Sequence, residues 1–241
     1  MGIRIERTHD KQIYLKEDRY DNPKENHKII AKLIMESGVL QEDSTLCDFG
    51  CATGEFLYYL SKQFPKAKYY GYDIIPELIE KARRRVPSVE FQVGSTLDKN
   101  LLPAKSIDIA TLIGVHAMYD TIEPWLSNLI YWTRKGGRIE IFGPFNPYPV
   151  DVWMMCRRVD DLDPSHREIG WNLFSLASVR EYLDSTKVAK YSFTLFEMPF
   201  DLPPRLDDPL RSWTFLDRGN RRLFMNGASL ILNYYCLEIQ P

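Results

Sequence analysis

With 241 residues, 31 Lys and Arg against 33 Asp and Glu, and a formal charge of −2, the chain has the size of one domain with a substantial core and no strong field that favours nucleic acid. Four cysteines, at 47, 51, 156 and 236, form no C-x-x-C pair, so a reduced, cytoplasmic chain is expected. The charged start has no signal-peptide pattern, and no apolar run reaches the ~18 residues of a membrane span, so no membrane insertion is expected.

Residues 1–25 are polar and mixed in charge, with Tyr14, Tyr20 and Pro23, and read as an arm or lid. Apolar residues at 29, 30, 33 and 34 have helical spacing, and Gly38 stops that helix. His27, near its start, reads as a surface or capping histidine. Residues 45–57, TLCDFGCATGEFL, read as strand, glycine turn and helix. That arrangement presents backbone N–H groups at a helix start to a ligand. The pattern D-x-G-x-x-T-G is neither G-x-G-x-x-G nor a phosphate loop, and Asp48 at the strand end would repel a pyrophosphate. A ligand with positive charge and hydrogen-bond donors suits it better.

A second strand over 68–73 ends in another acid, Asp73. Pro76 then opens a helix that carries the basic run 81–85, read as solvated surface, as is the run 218–222. Strands follow at 89–94 and 106–115, the second apolar enough to be covered on both faces. A helix over 125–132 and the Lys135-Gly136-Gly137 turn lead into a fifth strand at 138–143. From 144 the chain changes character. Residues 145–153, FNPYPVDVW, read as a loop entering a short helix, 157–170 are polar, and Ser178 is placed to cap a helix over 179–184. Two late β-rich runs, 191–200 and 228–239, complete seven strands. The alternation predicts an α/β fold around a mostly parallel sheet. Ligands of such sheets bind beyond the carboxyl ends of the strands, where Asp48, Asp73, residues 94–97 and residues 113–118 all fall. A carboxylate at the end of the second strand accepts hydrogen bonds from vicinal ribose hydroxyls, a role for Asp73.

Asp48-Phe49-Gly50-Cys51-Ala52-Thr53-Gly54, followed by Gly71-Tyr72-Asp73, resembles the class I S-adenosylmethionine-dependent methyltransferases over roughly residues 26–142. The resemblance implies a Rossmann-like, doubly wound sheet of seven strands with helices on both faces, and S-adenosyl-L-methionine as cofactor. It implies that Gly50, Cys51, Thr53 and Gly54 contact the methionine part, that Asp48 orients the loop and the ammonium end, and that Asp73 holds the ribose. Ile74 packs on adenine, and Ser95, Thr96 and Leu97 line its edge. Where the family often has Gly-Asp after the third strand, this chain has Gly94-Ser95, a hydroxyl in place of a carboxylate. Ile113, Gly114 and His116 lie beside the methyl donor. One methyltransferase domain then covers 1–241: an N-terminal arm and helix (1–43), a cofactor-binding core (44–143), a substrate-side elaboration (144–190) and terminal strands (191–241).

The acceptor is less marked. The fourth strand ends Ile-Gly-Val-His-Ala-Met-Tyr-Asp (113–120) and lacks the [DN]-P-P-[YF] motif of many nitrogen methyltransferases. His116 leads the candidates for a general base, ahead of Asp120, Tyr148, Asp151 and His166, because its ordinary pKa lies near neutrality. Asn146, Tyr148 and Asp151 are candidates to bind polar substrate groups, and Trp171 and Asn172 to wall the acceptor site. No metal-ligand set stands out. A weaker resemblance of 143–153, 170–179 and 226–239 to methyltransferases of bacterial surface-glycan clusters implies a sugar, or a nucleotide sugar, as a small-molecule acceptor methylated on a hydroxyl. A protein or RNA methyltransferase and a non-catalytic S-adenosylmethionine-binding protein are the alternatives. A homo-oligomer is compatible with either.

Overall fold

A computed structural model describes residues 11–241 and, by backbone alone, residues 4–6. The chain runs β1 (Arg4–Glu6), α1 (Lys11–Lys16), α2 (Glu25–Glu36), β2 (Thr45–Phe49), α3 (Glu55–Gln63), β3 (Lys68–Asp73), α4 (Pro76–Arg85) and β4 (Glu90–Val93). It continues through β5 (Ile107–Ile113), α5 (Glu123–Trp132), β6 (Thr133–Pro144), β7 (Met155–Cys156), β8 (His166–Ile169) and α6 (Leu176–Ser185). The last strands are β9 (Lys190–Phe196), β10 (Trp213–Leu216), β11 (Arg222–Met225), β12 (Ile231–Leu232) and β13 (Tyr234–Gln240).

Seven strands form one sheet in the order β4-β3-β2-β5-β6-β13-β9. β13 alone runs opposite to the other six strands. The fold is a Rossmann-like, doubly wound, mostly parallel sheet. Strand order reverses between β2 and β5, so the crevice at their carboxyl ends is the ligand position of such a sheet. Helices cover both faces. Ile30 and Ile34 of α2, Leu57 and Leu60 of α3 and Ile79 and Ala82 of α4 pack on one. Trp125, Leu129 and Trp132 of α5 and Val179 and Leu183 of α6 pack on the other. Each set repeats every three or four residues, which is why these segments become one-sided helices.

Several boundaries differ from the sequence reading. The Lys135-Gly136-Gly137 turn lies inside β6: Ile107 faces Thr133 and Ile109 faces Arg138, so residues 134–137 loop out of register. No helix forms at 145–153. That stretch is held instead by bridges from Asn146 to Ser175 and from Val152 to Leu173. Ser175, not Ser178, caps α6, accepting the Ser178 N–H at 3.0 Å. The polar stretch 157–170 yields β8, which pairs with β1 and β7, and the insertion before β13 folds into a small antiparallel sheet of β10, β11 and β12.

Candidate functional site

The glycine turn is tied to β3 by its backbone. Gly50 and Cys51 both donate to the Tyr72 carbonyl, at 2.7 and 3.0 Å. Gly50 (φ 74) and Gly54 (φ 80) occupy the left-handed region that a side chain disfavours. Ala52 is also left-handed (φ 46), and its N–H donates to Asp73 Oδ2 at 2.9 Å, which holds the strained residue in place. Gly54 caps α3 without a side chain, so the first N–H groups of that helix point into the turn.

Asp73 is 8% exposed and accepts the Ile75 N–H through Oδ1 at 2.9 Å. Burial raises its pKa, and the N–H groups of Ile75, Ala52 and Ile74 pull the other way. Asp48, 3% exposed, accepts the Thr111 hydroxyl at 2.6 Å. Burial pushes it up to about 7, the nearby Asp73 charge adding to that against the Thr111 hydrogen bond. No cation neutralises this pair among the described residues.

Both acids line a cavity of about 590 Å³ at the carboxyl ends of β2, β3, β4 and β5. Of the residues that the sequence assigned to the cofactor, Asp48, Gly50, Cys51, Thr53, Asp73, Ile74, Ser95, Thr96, Leu97, Ile113 and Gly114 line it, and Gly54 does not. Gly54 sits beneath, where a Cβ would meet the Phe91 ring at 2.6 Å. Thr96 is fixed twice. Its carbonyl accepts Asn128 Nδ2 at 2.7 Å, and its hydroxyl is bonded to that of Tyr119. Ile74 and Leu97 stand 54% and 51% exposed on the cavity wall.

The N-terminal part of the wall was not anticipated, nor was Tyr119. Lys11, Tyr14, Lys24, Asn26 and His27 line it from the N-terminal side, and Met118, Tyr119 and Asp120 from the turn after β5. The N-terminal segment is strapped onto α3 and α4. Tyr20 donates its hydroxyl to the Thr53 carbonyl at 2.7 Å, and Glu55 accepts the Arg19 N–H at 2.8 Å. Lys81 gathers the carbonyls of Tyr14, Leu15 and Glu17 at the end of α1, at 3.3, 3.1 and 2.7 Å. Of the stretch 1–25, residues 1–3 and 7–10 lie outside the described residues, and the sequence reading did not include the docking of the rest. His27 is neither a surface nor a capping residue: it is 8% exposed and packs edge-on against Phe56 at 5.6 Å.

The acceptor-side expectations are corrected at seven residues, none of which lines the cavity. His116 does not face the cavity. The 3-10 turn His116–Met118 rotates its side chain into the core, where it is fully buried. Burial pushes its pKa down to about 4. Asn146 closes a local turn, accepting the Tyr148 N–H at 3.1 Å and donating to the Val150 carbonyl at 2.7 Å. Tyr148 is 72% exposed and outside the cavity. Asp151 accepts the Ser175 N–H and the Ser178 hydroxyl, at 2.5 and 2.8 Å, at the start of α6. Trp171 and Asn172 also stand outside the cavity. Asn172, 1% exposed, donates to the Tyr119 carbonyl and accepts the Met154 N–H, both at 2.9 Å. His166 pairs with Asp161 on β8, away from the site. Asp120 does line the cavity, with its carbonyl held by Trp153 Nε1 at 2.8 Å.

The site thus joins an acid-flanked glycine turn to a second acid one strand away, at the carboxyl edge of a doubly wound sheet. Residues 47–139 match the family model described as a methyltransferase domain. The chain is 27% identical over 107 residues to the trans-aconitate 2-methyltransferase of Azoarcus sp. (strain BH72), a match that covers 44% of this chain and 42% of that protein. The chain thus matches less than half the length of that curated relative. Among solved structures, it is similar to geranyl diphosphate C-methyltransferase from Streptomyces coelicolor A3(2), in complex with Mg2+, geranyl diphosphate and S-adenosyl-L-homocysteine. The TM-score is 0.57 at 14% identity, over 88% of this chain and 78% of that one. A SAM-dependent methyltransferase from Aquifex aeolicus aligns with a TM-score of 0.52 at 14% identity, over 97% of both chains.

The cofactor of this family, S-adenosyl-L-methionine, fits the residues present. The two Asp73 oxygens keep acceptor capacity for vicinal hydroxyls beyond the N–H groups they hold. Ile74 and Leu97 offer open apolar faces to a flat ring. The unneutralised Asp48 suits an ammonium group. No helix among the described residues is long and apolar enough to cross a membrane.

Proposed function

We propose that this chain transfers a methyl group from S-adenosylmethionine to a small-molecule acceptor. The observation that carries the reading is the Asp73 carboxylate, anchored by Ala52 and Ile75 and facing the same cavity as the glycine turn and Asp48. When bound, the cofactor supplies an electrophilic methyl on a sulfonium. The chain's task is positioning. Asp73 holds the ribose, Asp48 and the turn orient the amino-acid end, and the Thr96–Tyr119 pair and Ile74 enclose the base. A cavity enclosed by the N-terminal strap suits a small acceptor better than a protein or RNA segment.

Two acceptor classes divide the finer reading. A hydroxyl on a sugar or glycan precursor calls for a base, and Asp120 is the sequence-assigned candidate that lines the cavity. A carboxylate is already nucleophilic near neutral pH and needs no base, which accords with the burial of His116. It also accords with the name of the Azoarcus relative, a methyltransferase of trans-aconitate. Incubation with tritiated cofactor and acceptor pools separated by charge tests both. Base-stable label in neutral sugars supports the first, and base-labile methyl ester in acids the second. Absence of transfer to any pool, with cofactor bound, would leave a binding protein.

A further inference from the structure

His27 is more than nine-tenths buried, lines the cavity, and buries its Nδ1 with no hydrogen-bond partner. Its ring is fixed edge-on by Phe56 at 5.6 Å. A neutral imidazole carries one proton. Placing it on Nδ1 would orphan a buried donor, whereas placing it on Nε2 leaves only a lone pair without a partner, the cheaper choice. The neutral ring then carries its proton on Nε2, in a side chain that lines the cavity. Burial, and secondarily the Lys24 ammonium, hold the ring neutral, with a pKa near 3.

Two neighbours extend this donor. Asn26 spends its Oδ1 on the His27 N–H at 3.0 Å, which leaves its amide nitrogen to offer. Lys24 precedes α2 and also lines the cavity. Its Nζ bonds Glu17 at 2.6 Å and lies 5.1 Å from the centre of the Tyr14 ring. All three stand at the N-terminal, positive end of a twelve-residue helix. We propose that Lys24, Asn26 and His27 form a recognition subsite for a ligand carboxylate. The proposal rests on the methyltransferase reading only in supplying the ligand, which is either the amino-acid end of the cofactor or an acid group of the acceptor. One shared ammonium and two neutral donors match a planar monoanion. A dianion would meet Glu55, Asp48 and Asp73 in the same cavity with too little positive charge to offset them.

Calorimetry on the full chain tests the subsite with S-adenosylhomocysteine and its decarboxylated analogue, which keeps the amine. If the cofactor is the source, His27→Phe weakens S-adenosylhomocysteine by about tenfold and leaves the analogue unchanged. If the acceptor is the source, both bind the variant as they bind wild type. Acetate titrated into the S-adenosylhomocysteine-loaded wild type then shifts the His27 ring resonances to saturation, and Asn26→Ala weakens that response. Should His27→Phe fail to fold, the ring resonances of the wild type under the same additions give the answer without it. An unchanged ratio together with silent resonances overturns the subsite. A wild type that binds neither nucleoside overturns the methyltransferase reading instead.

Discussion

The imidazole of His116 lies 4.3 Å from the Phe145 ring at an interplanar angle of 11°, and its Nε2 donates to the Pro144 carbonyl at 3.0 Å. The ring also fills the space over Gly143, where a Cβ would stand 2.2 Å from it. His116 thus locks the end of β6 to the turn after β5. His116→Ala is expected to cost about 2–4 kcal/mol of stability through the cavity and the lost hydrogen bond. Denaturant unfolding measures that. S-adenosylhomocysteine affinity should stay within about twofold, since the ring touches no ligand wall. A fully stable variant without transfer activity would restore His116 to the chemistry.

Asp48 gives the site a pH dependence with a definite sign. Burial raises its pKa in the folded protein to about 7, against an ordinary 3.8. Between those values the folded state holds a proton that the unfolded chain has released, so stability falls as pH rises through that window. Glu140, buried on the same sheet and also raised to about 7, adds to the slope. Asp48→Asn should therefore stabilise the empty protein at pH 8 by about 1–3 kcal/mol while removing part of the slope. Cofactor binding runs the other way. Wild-type affinity should rise from pH 6 to pH 8 as the carboxylate forms, and the variant should lose that rise. Melting curves and calorimetry across pH 5–8 read both signs.

Asn172 holds the 117–120 wall from outside the cavity. Its N–H donates to the Ala117 carbonyl and its amide to that of Tyr119, both at 2.9 Å. Tyr119 in turn is bonded to Thr96. Asn172→Ala is expected to cost about 1–3 kcal/mol and to weaken S-adenosylhomocysteine several-fold. Unfolding and binding measured on one preparation separate the two effects. A loss of stability with unchanged affinity would make Asn172 scaffold alone.

The sheet and the glycine turn at its carboxyl edge were legible because they are written locally. An apolar run ending in an acid, two glycines and a proline-started helix fix β2, α3, β3 and α4 with little help from the rest of the chain. The acceptor side was not, for two physical reasons. Polar side chains in tight connections are claimed by their own backbone, as Asn146 and Asp151 are, before any ligand can use them. Placement at a strand end also leaves side-chain direction open, and one 3-10 turn sends His116 inward and leaves Tyr119 on the wall. The strap over the cavity depends on Lys81 reaching Tyr14, Leu15 and Glu17, residues more than 60 positions away. No local pattern encodes that. The nearest signal was His27, a histidine at the start of a helix with an otherwise apolar inner face.

The central claim is that Asp73 and the glycine turn bind S-adenosylmethionine, and equilibrium calorimetry of that cofactor with wild type and Asp73→Ala tests it most directly. Wild type should bind one equivalent, and the variant should lose at least about 30-fold in affinity with the ribose acceptor and the Ala52 anchor both gone. Equal binding by the two proteins, or none by wild type, would contradict the account.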